Sequence, residues 1–236
     1  AIHGGLQAGR LANDGGQVIQ EWTLKPANMS QWREQRTLRS SGEISLFLND
    51  ISHDLVSGEA AGAYAQGKVQ RWNRQLLFLK PGWLVLCDLV TAPEGFAKTI
   101  YFHSPDEIAV SSEGAAGAGA FRAFNLLPRQ AKLNVAGGPG RTFAYGGNNW
   151  SGVPAYNAQV DTAWRLEVEA PRQETVVFLT AIYLPAPGET AAPEAKLLDG
   201  GPQRVSLSLD GKYTLSFTPG DPEGYSLSGP GVTYSV

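Results

Sequence analysis

Apolar and polar residues alternate with period two along much of this chain, the pattern of strands that bury one face and wet the other. The clearest run is "TAWRLEVEA" (162–170), where Trp164, Leu166 and Val168 face one way and Arg165, Glu167 and Glu169 the other. A denser pattern fills "RWNRQLLFLKPGWLVLCDLV" (71–90). Leu76–Leu79 and Trp83–Cys87 are nearly continuous apolar runs, divided by Lys80-Pro81-Gly82. They predict two adjacent strands joined by a tight turn, both deep in a core. Further strands are predicted at 43–49, 98–103, 120–126, 142–146 and 174–183. Only "SQWREQRTL" (30–38) reads as helix, with Ser30 as its N-cap.

The hairpin "VSLSLDGKYTLSF" (205–217) permits a sharper expectation. Asp210-Gly211 invites a two-residue turn, which would pair Leu209 with Lys212. The apolar residues of the two strands would then point to opposite faces. A loop of odd length, pairing Leu209 with Tyr213, puts Val205, Leu207, Leu209, Tyr213, Leu215 and Phe217 on one face. The sequence therefore predicts an odd loop or a bulge. "PAPGETAAPE" (185–194) is a Pro- and Ala-rich connector. It divides a main β-sandwich at 1–184 from a small C-terminal β-unit at 195–236, which can be continuous with it. Many short antiparallel strands with Gly and Pro turns, and almost no helix, give an all-β, supersandwich-like antiparallel β-sandwich.

Composition sharpens this picture in a few places. At 236 residues the chain is long enough to bury a core without staples. Its formal net charge of −3 and lack of a basic stripe argue against nucleic acid as a partner. No apolar run is long enough for a transmembrane helix. The chain starts at Ala1 rather than at methionine, which reads as a cut. The single cysteine, Cys87, reads as a small buried hydrophobe in its strand.

Candidate chemistry is sparse. His3, His53 and His103 are widely spaced, and no HxH, HExxH or CxxC motif is present. "NDISHD" and "HSPDE" bring carboxylates near histidines, but such loops are usually solvated. No cofactor is expected. Tyr101 and His103, at i and i+2 of one strand, share a face and could act as acid and base. The plainer alternative is that Tyr101 packs and His103 ends the strand. Aromatics beside long polar side chains offer sugar contacts through stacking and paired hydrogen bonds. Arg71, Trp72 and Arg74 form one such group, and Tyr145, Asn148, Asn149 and Trp150 another. Against this, Trp72 can fill the core and "YGGNN" can be an ordinary hairpin tip.

The order of several of these motifs resembles the β-sandwich domain of heparinase II/III-like polysaccharide lyases. The run starts at "SGEAAGAY" (57–64), continues through "RQLLFLKPGWLVLCDLV", and goes on to "HSPDE" (103–107), "GGPG" (137–140) and "AWRLEV" (163–168). "NDGGQ" (13–17) is similar to a fragment that follows the family's histidine-rich segment. Leu89 stands after Asp88 where the family often has Arg, and Glu59 stands where it usually has Asp. The resemblance implies a larger assembly. A helical toroid domain would supply the Tyr and the Asn or His that work on an acidic polysaccharide, and a metal can sit in the histidine-rich segment upstream. The reaction is β-elimination at a uronic acid, and the location periplasmic or secreted. None of the family's catalytic residues falls on a numbered position here. The expectation is thus an accessory domain that braces the toroid and walls one side of the cleft. The alternatives are a free-standing carbohydrate-binding module, a small enzyme using Tyr101 and His103, or a domain that contacts only protein.

Overall fold

The strands at 71–79 and 83–91 read as continuous apolar runs because both of their faces are covered. A computed structural model describes residues 2–3, 27–38, 42–64, 67–111, 114–119, 121–138, 141, 144–145, 148–149, 164–189 and 192–235. Strand β1 (Ile2–His3) and helix α1 (Met29–Leu38) precede the hairpin of β2 (Glu43–Asn49) and β3 (His53–Glu59). A single 3-10 turn leads to β4 (Arg71–Leu79) and β5 (Trp83–Thr91). Then come β6 (Ala97–Ser104), β7 (Ala109–Val110), β8 (Ala115–Ala118), β9 (Phe121–Leu127) and β10 (Lys132–Gly137). The short pair β11 (Ala144–Tyr145) and β12 (Asn148–Asn149) is followed by β13 (Trp164–Glu169) and β14 (Thr175–Tyr183). The last five strands are β15 (Ala195–Gly200), β16 (Val205–Leu209), β17 (Tyr213–Phe217), β18 (Tyr225–Gly229) and β19 (Val232–Ser235).

These strands build three antiparallel layers. The middle layer is an eight-stranded sheet in the order β2-β3-β4-β5-β14-β9-β8-β7. A four-stranded sheet, β1-β6-β13-β10, lies on one face, and the five-stranded β15-β16-β17-β18-β19 sheet lies on the other. The register of β4 with β5 explains the division. Leu77 faces Val85 and Leu79 faces Trp83 on the side of the C-terminal sheet, while Trp72 faces Val90 and Leu76 faces Leu86 on the other. One core joins Trp72, Leu86, Val90 and Phe178 to Ile100, Leu166 and Val168. The second joins Leu77, Leu79, Val85, Cys87 and Leu179 to Val205, Leu207, Leu215, Phe217 and Leu227. Each such side chain contributes roughly 1.5–3 kcal/mol when taken fully out of water. The all-β antiparallel sandwich expected from the sequence is therefore present, with a second covering sheet.

Local details follow the sequence with one correction, at the helix cap. The loop of β16 and β17 is odd, with Leu209 opposite Tyr213, and it puts Val205, Leu207, Leu209, Leu215 and Phe217 in the core. Asp210 and Gly211 take the left-handed conformation, with φ of 53° and 65°. The Asp210 carboxylate accepts from Trp83 Nε1 and from the Glu194 amide, both at 2.9 Å, so the turn is tied to the middle sheet. The helix begins at Met29, and its cap is Asn28 rather than Ser30. Asn28 Oδ1 accepts the Gln31 N–H at 2.9 Å, and Gln31 Oε1 accepts the Ala27 N–H at 2.7 Å, satisfying the first turn from both sides. Of the strand expected at 142–146, Ala144–Tyr145 is strand, and positions 142, 143 and 146 lie outside the described residues.

Two glycines separate backbone strain from steric conflict. Around Gly211 a Cβ would meet nothing, whereas at Gly220 (φ 86°) it would lie 2.5 Å from Arg71 Nη2 and 2.6 Å from Leu89 Cδ2. Gly211→Ala should cost about 1 kcal/mol from its positive φ alone. Gly220→Ala should cost about 2–4 kcal/mol, because backbone strain and overpacking add. Urea denaturation of the two variants checks the order, and equal losses would contradict the packing described here.

Candidate functional site

The most elaborate polar constellation lies inside the run from which the resemblance was drawn. Asp88 sits between Leu86 and Val90 on the β5 face turned toward the four-stranded sheet, and it is fully buried. A carboxylate in such a place needs partners. Arg74, directly opposite on β4, supplies two, with Nε at 2.7 Å from Oδ1 and Nη2 at 3.2 Å from Oδ2. Trp72 Nε1 donates to Oδ1 at 2.9 Å. The Trp72 ring stacks on Tyr64, with centroids 5.3 Å apart and 22° between planes. Glu59 Oε1 accepts the backbone N–H groups of Trp72 at 2.7 Å and Ala61 at 2.9 Å, which pins the 3-10 turn carrying the chain to Tyr64. Burial pushes the Tyr64 hydroxyl pKa well up, partly opposed by the Arg74 charge and reinforced by Asp88. That phenol stays protonated and is a poor base.

The structure therefore places the first group of predicted sugar contacts in other work. Trp72, offered above as a stacking platform, is 9% exposed, and one face of its ring lies against Tyr64. Apolar neighbours and an indole N–H bound to Asp88 hold it in the core. Arg74 is half exposed, but its fork is spent on Asp88. Arg71 is exposed and donates through Nη2 to the Gly220 carbonyl, so it clamps the 218–224 loop of the C-terminal sheet. Gln75, buried beside it, donates to the Asp221 carbonyl at 2.8 Å. In the second group, Tyr145 and Asn148 pair through their backbones across β11 and β12, next to Asn149. Trp150 lies outside the described residues.

Tyr101 and His103 do share the outer face of β6. Arg165 lies opposite His103 and Glu167 opposite Tyr101 on β13. The Arg165 guanidinium sits 5.3 Å from the Tyr101 ring centre and binds Glu167 Oε1 at 2.6 and 3.0 Å. Asn134 Nδ2 holds the other Glu167 oxygen at 2.9 Å. Partial burial, and then the Arg165 charge, lower the His103 pKa, which keeps this exposed imidazole neutral near pH 7. The group is a polar sheet face whose arginine already has a carboxylate.

His53 is the residue whose surroundings the sequence conveyed least. It is buried between the middle and C-terminal sheets. Its Nδ1 meets Ser52 Oγ at 2.9 Å and its Nε2 meets Tyr225 OH at 3.0 Å, while Ser52 Oγ donates to Asp50 Oδ1 at 2.9 Å. Asn49, Asp50 and Ile51 of the "NDISHD" stretch are exposed, as expected of a solvated loop, but His53 is buried and hydrogen-bonded. The signal was available in the alternation, since His53 shares a strand face with Leu55. Among the described residues, no three His, Cys, Asp or Glu side chains gather as a metal site.

No protein-family model and no curated protein matches the chain. Solved structures similar to it include heparinases. One heparinase III is 18% identical over 75% of this chain, with a TM-score of 0.47. A second heparinase III is 12% identical over 83% of the chain, with a TM-score of 0.48. The heparan sulfate lyase HepC from Pedobacter heparinus is 10% identical over 83%, with a TM-score of 0.47. The chain spans 27% of the first protein's length and 28% of each of the others.

The Asp88 constellation makes an asymmetric prediction. Arg74→Ala leaves a buried carboxylate with Trp72 as its remaining partner and should cost about 3–5 kcal/mol. Asp88→Asn keeps an acceptor for Trp72 and frees a half-exposed arginine to hydrate, so it should cost about 1–3 kcal/mol. Chemical denaturation at neutral pH checks the order. A larger loss for Asp88→Asn would contradict the described burial.

Proposed function

We propose that this chain is a supporting β-sandwich of an acidic-polysaccharide lyase, one that braces a helical catalytic domain and walls one side of the cleft between them. The observation that carries this reading is an uncovered apolar area on the middle sheet. Phe47 and Val56 stand opposite one another on the face turned toward the four-stranded sheet, with Ile44 and Phe78 in the neighbouring rows of the same face. None of the four belongs to either core, and Ile44 and Phe47 are 71% and 64% exposed. Ile51, in the loop between β2 and β3, is 94% exposed. Contiguous apolar surface of this kind marks an interaction site. A flat sheet face suits a broad helical surface better than a sugar chain.

The chemistry on this chain agrees with a supporting role. Elimination at a uronic acid needs a base for the proton beside the carboxylate and a cation that neutralises that carboxylate while the C4–O bond breaks. Tyr64 is buried and protonated, and Arg74 and Arg165 are paired with Asp88 and Glu167. The run from "SGEAAGAY" to "AWRLEV" supplies the lyase part of the reading, and with it a periplasmic or secreted location. No helix among the described residues is long and apolar enough to cross a membrane. A free-standing carbohydrate-binding module with an aromatic platform is less favoured, because Trp72 is stacked inside the fold.

The folded chain alone should release no unsaturated uronate from a panel of uronic-acid polysaccharides, followed by ultraviolet absorbance. An enzyme-dependent rise that Tyr101→Phe or His103→Ala abolishes would overturn the supporting role.

A further inference from the structure

The outer face of the C-terminal sheet carries hydroxyls in register. Ser206, Ser216, Ser226 and Ser235 stand opposite one another across β16 to β19, and Ser208, Thr214, Ser228 and Thr233 form a second row. Strand spacing puts successive hydroxyl-bearing residues about 4.8 Å apart. At one end of the first row the surface becomes concave. A cavity of about 280 Å³ is lined by Arg204, Ser216, Thr218, Ser226 and Ser235, together with Phe217, Gly224 and Tyr225. Ligand pockets run from roughly 300 Å³ upward, so this one has room for a single sugar residue.

Arg204 gives the cavity its chemistry. Its Nη2 donates to Ser216 Oγ at 3.1 Å, and Ser216 Oγ is held in turn by Ser206 Oγ at 2.8 Å. Ser216 is buried, so this anchor is a fixed one. Arg74 and Arg165 have carboxylates, but no carboxylate lies within ion-pair distance of Arg204 among the described residues. No Asp or Glu lines the cavity, and the nearby Asp221 turns Oδ1 to the Glu223 N–H at 3.2 Å. A guanidinium has five donors in a planar fork that fits two oxygens of an oxyanion, and Ser and Thr hydroxyls can each donate and accept.

We infer that the Arg204 cavity is a binding subsite for one acidic sugar residue, whose carboxylate or sulfate meets the guanidinium while its hydroxyls meet Thr218, Ser226 and Ser235. The second row, where Thr214, Ser228 and Thr233 are exposed, then gives the continuing polymer a polar track, whereas Ser206 and Ser216 of the first row are buried. For its sugar ligand this rests on the acidic-polysaccharide reading, but the site is on the sheet opposite the Phe47 face and does not depend on docking there.

The test is amide chemical-shift titration of the whole chain with glucuronic acid, glucosamine 6-sulfate, glucose and inorganic sulfate. The acidic sugars should shift resonances around Arg204, Ser226 and Ser235 more strongly than glucose or sulfate do. Arg204→Ala should weaken that binding by about tenfold or more, and Arg204→Lys should recover part of it, since charge returns without the fork. Unperturbed spectra away from the cavity will show that the variants fold. Shifts that are absent, that glucose reproduces, or that survive Arg204→Ala would overturn the assignment. So would inorganic sulfate matching the acidic sugars, since that is an anion site without sugar recognition. Elimination activity of the chain alone would sink the supporting role and leave this titration unaffected, so the two failures are distinguishable.

Discussion

Double coverage of the middle sheet is the constraint on which the rest of the structure depends. A strand with one wet face can carry charge at every second position, whereas β4, β5 and β14 can carry it nowhere without a partner. That is why Leu77, Val85 and Leu179 on one face and Leu86, Val90 and Phe178 on the other are all apolar and buried. It is also why the charged and aromatic polar groups there are bound, although among the described residues Ser57 Oγ, Asn73 Oδ1, Gln75 Oε1 and Thr180 Oγ1 are buried without a hydrogen-bond partner. Asp88 has Arg74 and Trp72, His53 has Ser52 and Tyr225, and the Trp83 N–H has Asp210.

These polar contacts fix relative placement, which apolar burial alone does poorly. Arg71 and Gln75 reach from β4 to the 218–224 loop, and Asp210 and Tyr225 reach from the C-terminal sheet to Trp83 and His53. The C-terminal sheet is thus joined to the middle one by side chains at both ends of its hairpins as well as through a shared core. The four-stranded sheet covers only part of the opposite face, which leaves Ile44 and Phe47 in water. The exposure of this area, on a sheet that hides Leu and Val on both sides elsewhere, is what the proposed supporting role rests on.

Most of the architecture was legible in the sequence, because its signals are local. Alternation located β2, β6, β13 and β14 within a residue or so, and the odd loop at 210–212 followed from which side chains had to share a face. The near-continuous runs at 76–79 and 83–87 signalled deep burial, but a run of apolar residues does not say how many sheets bury it. The site was harder to read, because its partners are distant along the chain. Trp72 beside two arginines is the same string of letters whether the ring faces a sugar or Asp88, and only the β4–β5 register decides. The same holds for His53, whose partner Tyr225 lies in the last sheet. Arg204 offered no local cue at all, since the lack of a carboxylate beside it is a fact of the folded sheet.

Native-state hydrogen exchange tests the central claim most directly. If the middle sheet is held by cover on both faces, the amides of 73–79, 84–90 and 176–182 should be the slowest in the chain and exchange only with global unfolding. Those of the edge strand β2 should exchange faster. Slow exchange confined to the C-terminal sheet, with β4 and β5 opening independently of it, would contradict the account.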